Sequence, residues 1–362
     1  MPAELAVIVP TLNESGNVLR LIARLERALA GMEWEVVFVD DDSIDGTIAL
    51  LEQAAAQDSR IRLVRRIGRR GLSSAVVEGA LSTNAPLIAV MDADLQHDDT
   101  QLPLMKAHFA DPALDLVIGS RYARGGDLGA WSHERRRMSR FATILSRLVI
   151  KANLTDPMSG FFMIRREAFD RSVRRLSSQG YKILLDIIAS APRPLAIKEI
   201  PYSFGQRDSG ESKLDAHVTF DYAALLLDKT IGRVVPARFV MFSLVGAVGV
   251  LVHMSVLSAL HQGAGAAFTR SQALATITAM TFNFFLNNWL TYRDQRLRGL
   301  GALTRGLLSF YAIGAIGAVA NVGVASVLFG QNQPWFIAGI AGILVGAVWN
   351  YGVSAVFTWR RR

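Results

Sequence analysis

Short apolar runs alternate with amphipathic segments through the first two thirds of the chain. Leu5–Pro10, Trp34–Asp40, Ile61–Val64, Leu87–Met91 and Asp115–Ser120 have strand length and end on polar or turn residues. Helical periodicity fills the gaps: after Gly16 to about Ala30, onward to about Gln57, and across Ser73–Leu81. This alternation predicts an α/β domain with a mostly parallel, doubly wound sheet and right-handed crossovers. A longer helical pattern covers Ser132–Leu154, with Met138, Phe141, Leu145 and Leu148 on one face and Arg136, Arg140, Arg147 and Lys151 on another. It reads as a helix lying in the membrane interface, or as a solvated charged face packed on the domain. A second interfacial amphipathic stretch is placed at about 214–235.

Beyond Pro236 the pattern changes. Phe239–Leu260, Ser271–Tyr292, Leu307–Phe329 and Trp335–Trp359 are apolar almost throughout, each close to the ~20 residues that cross a bilayer core. Four such stretches in series predict an all-α transmembrane domain over 236–362, after a soluble domain over 1–235. Composition agrees: 51% of the 362 residues are hydrophobic and 19% charged. The net charge of +8 raises a nucleic-acid reading, yet the basic residues flank apolar segments and not aromatic stacking platforms. Arg233 and Arg238 precede the first span, Arg293, Arg296, Arg298 and Arg305 separate the second from the third, and Arg360–Arg362 follow the fourth. The positive-inside rule therefore puts both termini and the large domain in the cytoplasm, at the plasma membrane, with basic residues toward anionic headgroups. Leu5–Pro10 reads as a first strand and not as a signal-peptide core. Cysteine is absent, which excludes disulfides and thiolate chemistry.

The richest chemistry lies in Leu-Ile-Ala-Val-Met-Asp92-Ala93-Asp94-Leu-Gln96-His97. A buried parallel strand would release these acids at its carboxyl end, where open α/β sheets bind ligands. Asp92, Asp94 and Gln96 offer hard oxygen donors suited to Mg²⁺ or Mn²⁺ shared with substrate phosphates; the alternative is an ordinary strand-to-loop exit. Asp40-Asp41-Asp42-Ser43 closes the second strand, and Gly119-Ser120-Arg121-Tyr122 follows a later one, so several strand ends cluster polar groups along one edge. Arg135 and Ser139 stand at i and i+4. Phe204–Lys213 is rich in Gly and Ser with cationic ends, as a loop folding over phosphates would be, or as a plain surface loop. No GxGxxG, P-loop or Ser-His-Asp arrangement is present, and no His/Cys cluster has zinc spacing. His97, His133 and His253 read as loop or packing residues.

Val-Pro10-Thr-Leu12-Asn-Glu14, Val39-Asp-Asp41-Asp-Ser-Ile-Asp-Gly-Thr, Arg-Arg-Gly-Leu, Asp92-Ala-Asp94-Leu-Gln96-His, Gly-Ser-Arg121-Tyr, Asp156-Pro-Met-Ser-Gly-Phe and Gly-Gln-Arg207-Asp-Ser-Gly-Glu-Ser-Lys213 occur in this order across residues 5–215. Together they resemble the dolichol-phosphate or polyprenol-phosphate mannosyltransferases, inverting family 2 glycosyltransferases with the A-type nucleotide-sugar fold. The apolar half resembles a GtrA-type domain. It also carries an internal repeat: Leu244-Val-Gly246-Ala-Val-Gly249 recurs as Ala312-Ile-Gly314-Ala-Ile-Gly317, and Thr281-Phe-Asn283 as Val348-Trp-Asn350, offset by about 67–68 residues. Each repeat is then a pair of spans pointing the same way, with Gly342 and Gly346 suited to close helix contact. Asn283, Asn287 and Asn350 mark either a conduction path or interhelical hydrogen bonds.

The resemblance implies transfer of a hexose, mannose from GDP-mannose first, to polyprenyl or dolichyl phosphate at the cytoplasmic membrane face. It implies Mg²⁺ or Mn²⁺ on Asp92, Asp94 and Gln96. Donor contacts fall on Pro10, Leu12, Glu14, Val39, Asp41, Asp92, Ala93, Asp94, Arg121, Lys182, Arg207 and Lys213. Arg121, Arg135 and Ser139 would hold the acceptor phosphate and, with Asp94, carry catalysis. The partners expected are the nucleotide sugar, the lipid phosphate and the bilayer, with a homo-oligomer left open and no nucleic acid. UDP-glucose or another nucleotide sugar as donor is the alternative within enzymes, and a lipid-linked sugar flippase or scaffold the alternative outside them.

Overall fold

The computed structural model describes residues 3–126, 143–144, 146–147, 149–150, 152–177, 182–205, 225–226, 237–292, 295–331 and 333–359. The chain divides into two units, Met1–Thr230 and Ile231–Arg362. In the first, β1 (Leu5–Thr11), β2 (Trp34–Asp40), β3 (Ile61–Arg65), β4 (Leu87–Val90), β5 (Leu116–Ser120), β6 (Phe162–Arg165) and β7 (Ile197–Pro201) form one sheet in the order β3-β2-β1-β4-β6-β5-β7. All neighbours pair in parallel except at β6, which runs antiparallel to both β4 and β5. The predicted mostly parallel sheet is therefore present, with one reversed strand that no periodicity signals in so short a run.

Alternation along the strands splits the core in two. Leu5, Val7 and Val9 face one side with Val36 and Phe38, where Val18, Leu21 and Leu25 of α1 (Val18–Ala28), Leu51 of α2 (Thr47–Gln57) and Leu102 and Met105 of α4 (Gln101–His108) cover them. Ala6 and Ile8 face the other with Val37 and Val39, under α3 (Leu72–Leu81), α5 (Arg166–Val173) and α6 (Ile183–Ser190). Burying each large aliphatic side chain here contributes about 1.5–3 kcal/mol. Gly79 lets α3 settle directly on the sheet: a Cβ there would lie 2.6 Å from Ile8 Cγ2 and 2.7 Å from Val39 Cγ2. Gly79→Ala is accordingly expected to cost about 1–3 kcal/mol by overpacking, read as a lower denaturant midpoint with an unchanged slope. A gain in stability would mean that α3 lifts freely.

One helix boundary needs correcting. Thr143, Ile144 and Ser146 are helical, but the helix predicted to run through Leu154 has ended before Ile150. Val149 and Ile150 donate back to Ser146 O at 3.0 Å in a closing turn, and Ile150 and Leu154 sink into the second core. Their apolar spacing is satisfied by the sheet, which periodicity alone could not distinguish from an acyl layer. Residues 127–142 and 206–224, with most of both interfacial stretches, lie outside the described residues.

In the second unit the described residues form α7 (Ala237–Ser258, continued by a π-turn Ala259–Gly263), α8 (Phe268–Trp289), α9 (Leu300–Gly330) and α10 (Trp335–Phe357). Arg238–Gly263 and Leu300–Asn321 are each long and apolar enough to span a bilayer. Val250, Leu251, Leu308, Val319, Ile343 and Phe357 turn outward, each more than half exposed, which suits hydrocarbon and not water. The repeat is also visible in space. Tyr292 stacks on Trp359 with centroids 4.1 Å apart, and Phe242 meets Phe310 at 6.4 Å. Each pair joins equivalent repeat positions, as residues beside a pseudo-twofold axis must. Asn283 packs against Gly249 and Asn350 against Gly317, so each repeat uses a carboxamide on a bare glycine to bring its two helices together. Asn287 spends its side chain locally, donating to Asn283 O in α8 and accepting from Thr291 just beyond its end.

Candidate active site

The carboxyl ends of β1, β2, β4 and β5 place the sequence motifs along one edge of the sheet. Pro10, one residue before the end of β1, lies beside Val39 of β2 with their Cα atoms in register. The loops that follow are stitched together. Asn13 N–H donates to Ser43 Oγ at 2.8 Å, Glu14 N–H to Thr47 Oγ1 at 2.9 Å, and Ser15 N–H to Asp45 Oδ2 at 3.0 Å. Burial raises the Asp45 carboxyl, but the donors from Thr47 and Ser15 outweigh it and hold the pKa at about 2. Asp40 is consumed internally, accepting from Thr11, Ser43 N–H and Ser43 Oγ. Asp41 faces the next loop: Arg66 Nη1 and Gly71 N–H donate to its two oxygens, each at 2.7 Å. Arg66 is 2% exposed and also reaches Ser74 Oγ at 2.6 Å and Gly71 O at 3.1 Å. Nothing in the sequence marks Arg66, whose partner Asp41 lies one strand and 25 residues away and whose Nε stands 3.2 Å from Glu78 Oε2.

β4 ends at Val90, and Asp92–His97 then folds into a tight turn. Leu95 takes φ 62°, the left-handed region that leucine avoids. Asp92 stays 39% exposed on its side chain, whereas Ala93 and Asp94 are buried. Asp94 Oδ1 accepts Gln96 N–H at 3.2 Å. Gln96 Nε2 donates to Gly205 O at 3.0 Å while Gly205 N–H donates to Gln96 O at 2.9 Å, binding the turn to the segment after β7. Among the described residues no three of His, Cys, Asp and Glu gather as a metal cage. Two carboxylates and one carboxamide oxygen on a single turn form a sparse, hard donor set. That set fits Mg²⁺ or Mn²⁺, which keep sites for water and phosphate oxygens.

Arg121 follows β5 and is fixed by Asp156: Nε donates to Oδ2 at 2.7 Å and Nη2 to Oδ1 at 3.0 Å. Burial opposes its charge, yet the Asp156 carboxylate more than offsets this and raises the guanidinium pKa. Two of its donor nitrogens, Nε and Nη2, are thus turned onto the Asp156 carboxylate. Phe204 lies under the guanidinium at 5.4 Å. Lys182 caps α6 on the side of the second core. Arg135, Ser139, Arg207 and Lys213 lie outside the described residues.

His97, read from sequence as a loop residue, is instead buried against Phe161, Tyr202 and Phe204. Burial holds its imidazole at a pKa of about 4 against an ordinary 6.5, with Asp94 pulling upward and Arg121 downward. The ring is therefore neutral at pH 7. An unfolded chain protonates it below 6.5 and the folded chain only near 4, so its contribution is complete above 6.5 and is lost as pH falls toward 4. Denaturation of the full-length protein in detergent at pH 7 and pH 5 is expected to show a loss of about 2 kcal/mol from this residue. His97→Phe should flatten that difference; an unchanged pH dependence in the variant would remove His97 as its source.

Residues 6–173 match the family described as Glycosyl transferase family 2, and residues 241–359 match the GtrA/DPMS transmembrane domain. A dolichol-phosphate mannosyltransferase of Pyrococcus furiosus is 33% identical over 360 residues, covering 98% of this chain and 99% of that protein. The enzyme of the same name from Saccharomyces cerevisiae is 37% identical over 234 residues, 61% of this chain and 85% of the other. Among solved structures, glucosyl-3-phosphoglycerate synthase from Mycobacterium tuberculosis aligns at 20% identity and a TM-score of 0.46, over 63% of this chain and 80% of that one.

Proposed function

The chain belongs to glycosyl transferase family 2, in its dolichol-phosphate mannosyltransferase branch with a GtrA/DPMS membrane domain, and from that premise we propose that it transfers mannose from GDP-mannose to dolichyl or polyprenyl phosphate with inversion. The observation that carries this reading is the Asp92–Gln96 turn, opening on the sheet edge that also bears Asp41 and Arg121, in a chain whose other half is a transmembrane domain. The positive-inside pattern supports a cytoplasmic site.

Asp92, Asp94 and the Gln96 amide oxygen would hold a divalent cation, which supplies Lewis-acid stabilisation of the departing diphosphate. The remaining work falls to the chain. The acceptor phosphate monoester has a second pKa of about 6, so it is largely dianionic at pH 7 and attacks the anomeric carbon without a general base. That accords with a neutral, buried His97. Arg121, oriented by Asp156, reduces repulsion between acceptor and donor phosphates, and Arg135 and Ser139 are assigned the same task from sequence. Asp41, steadied by Arg66 and Gly71, is assigned to the nucleobase. One displacement on the face opposite the leaving group inverts the sugar.

The test is release of nucleoside diphosphate by purified protein in detergent with Mn²⁺ or Mg²⁺, on adding a short polyprenyl phosphate, across several nucleotide sugars. GDP-mannose is expected to give the highest kcat/KM. Acceptor-dependent turnover with UDP-glucose instead would change the sugar, and no turnover with any donor would favour a flippase. Arg135→Ala is expected to raise KM for the lipid phosphate at least about tenfold while donor binding changes little. Equal losses on both sides would place Arg135 elsewhere.

A further inference from the structure

His97 closes the acidic turn upon itself. Its Nδ1 accepts the Asp92 backbone N–H at 3.1 Å, which requires a bare Nδ1 and puts the proton of the neutral ring on Nε2. Nε2 stands 3.9 Å from Asp92 Oδ2, and the ring is 3% exposed. Phe161 stacks on it at 5.2 Å and 14°, and Tyr202 and Phe204 meet it edge-on. A Cβ on Gly160 would lie 3.2 Å from Asp92 Oδ2 and 3.3 Å from His97 Cε1, so the loop after Asp156 closes the remaining side. Asp92 is thus held at its amide by His97 and bounded at its carboxylate by Gly160. The strained φ of Leu95 persists because this surround fixes the turn.

We propose that His97 is a positioning residue for the divalent-cation site: through the Asp92 amide it presets the Asp92–Gln96 turn, so that the two carboxylates and the carboxamide oxygen converge before a cation arrives. This rests on the reading of Asp92, Asp94 and Gln96 as cation ligands. Metal ligands held by a fixed outer hydrogen bond typically lose about 10–100-fold in affinity when that bond is removed. The inference separates cleanly from a packing role because two substitutions divide the ring from its acceptor. His97→Phe keeps an aromatic ring against Phe161 but leaves the Asp92 N–H without its partner. His97→Asn sacrifices the ring and keeps an acceptor at the position of Nδ1.

Mn²⁺ binding to the full-length protein in detergent, without nucleotide, is read by the loss of the free-Mn²⁺ electron paramagnetic resonance signal, with Asp94→Ala as the reference for a broken site. His97→Phe is expected to weaken binding at least about tenfold and His97→Asn to recover to within about fivefold of native. If Asp94→Ala binds as well as native, the cation reading itself fails and takes the proposal with it. If Asp94→Ala fails but His97→Phe binds like native, or Phe is tolerated better than Asn, the cation site stands and the positioning role is overturned. The native protein supplies a measurement that needs no folded variant. ¹⁵N NMR of ring-labelled histidine should show His97 protonated on Nε2 with Nδ1 as an acceptor, and a proton on Nδ1 would overturn the proposal.

Discussion

Asp94→Ala is expected to lower turnover about a thousandfold while the protein still inserts and folds. Asp94 is buried on the turn, and its Oδ1 accepts the Gln96 backbone N–H at 3.2 Å. What is lost is one of two negative charges where the departing diphosphate would be neutralised through a cation. The check is acceptor-dependent release of nucleoside diphosphate across a Mn²⁺ titration. Activity above about a tenth of native, with an unchanged Mn²⁺ requirement, would take Asp94 out of the site.

Arg66→Met is expected to cost about 3–5 kcal/mol of stability, the range for removing one member of a buried ion pair. Arg66 is 2% exposed and its neighbour Asp41 only slightly more. Without the guanidinium, the Asp41 carboxylate keeps the Gly71 N–H as its remaining strong donor, and Ser74 and the Gly71 carbonyl each lose a bond. The loop joining β3 to α3 would loosen where the nucleobase is assigned, so KM for the donor should rise together with the fall in stability. Urea denaturation of Arg66→Met, Asp41→Asn and the double variant measures the coupling directly. A loss under about 1 kcal/mol for Arg66→Met, with no coupling to Asp41, would show that water replaces the guanidinium at no great cost.

The strands that read most clearly from sequence are those whose burial is continuous, such as Leu5–Val9 and Val36–Val39, because a strand covered on both faces must be apolar at every position. β6 is not legible in the sequence, for the opposite reason. Its Phe-Met-Ile-Arg run is too short for any period, and its place between β4 and β5 follows from pairing across the sheet. The Ser132–Leu154 pattern was ambiguous in kind: an apolar face reads alike whether it meets acyl chains or a sheet, and Ile150 and Leu154 meet the sheet. Asp92, Asp94, Gln96 and Arg121 were legible as candidates because polar side chains cluster where strands end. His97 and Arg66 were not, since their meaning depends on partners that folding supplies.

By itself the sequence determined the two-part organisation, the mostly parallel sheet, the acidic turn at the end of β4 and the duplicated helical hairpins. Each is written in local period, length and spacing, which the chain carries wherever it goes. Only the tertiary structure decided that Arg121 is oriented by Asp156, that Asp41 is tied to Arg66, and that the acidic turn is closed by His97 and bound to Gly205. These contacts join residues 25 to 109 positions apart, except for the His97 bond, which spans five positions and depends on a left-handed Leu95. Hydrogen bonds and ion pairs act over a few ångströms, so which groups they join is settled by the packing of the sheet and its loops and not by order along the chain.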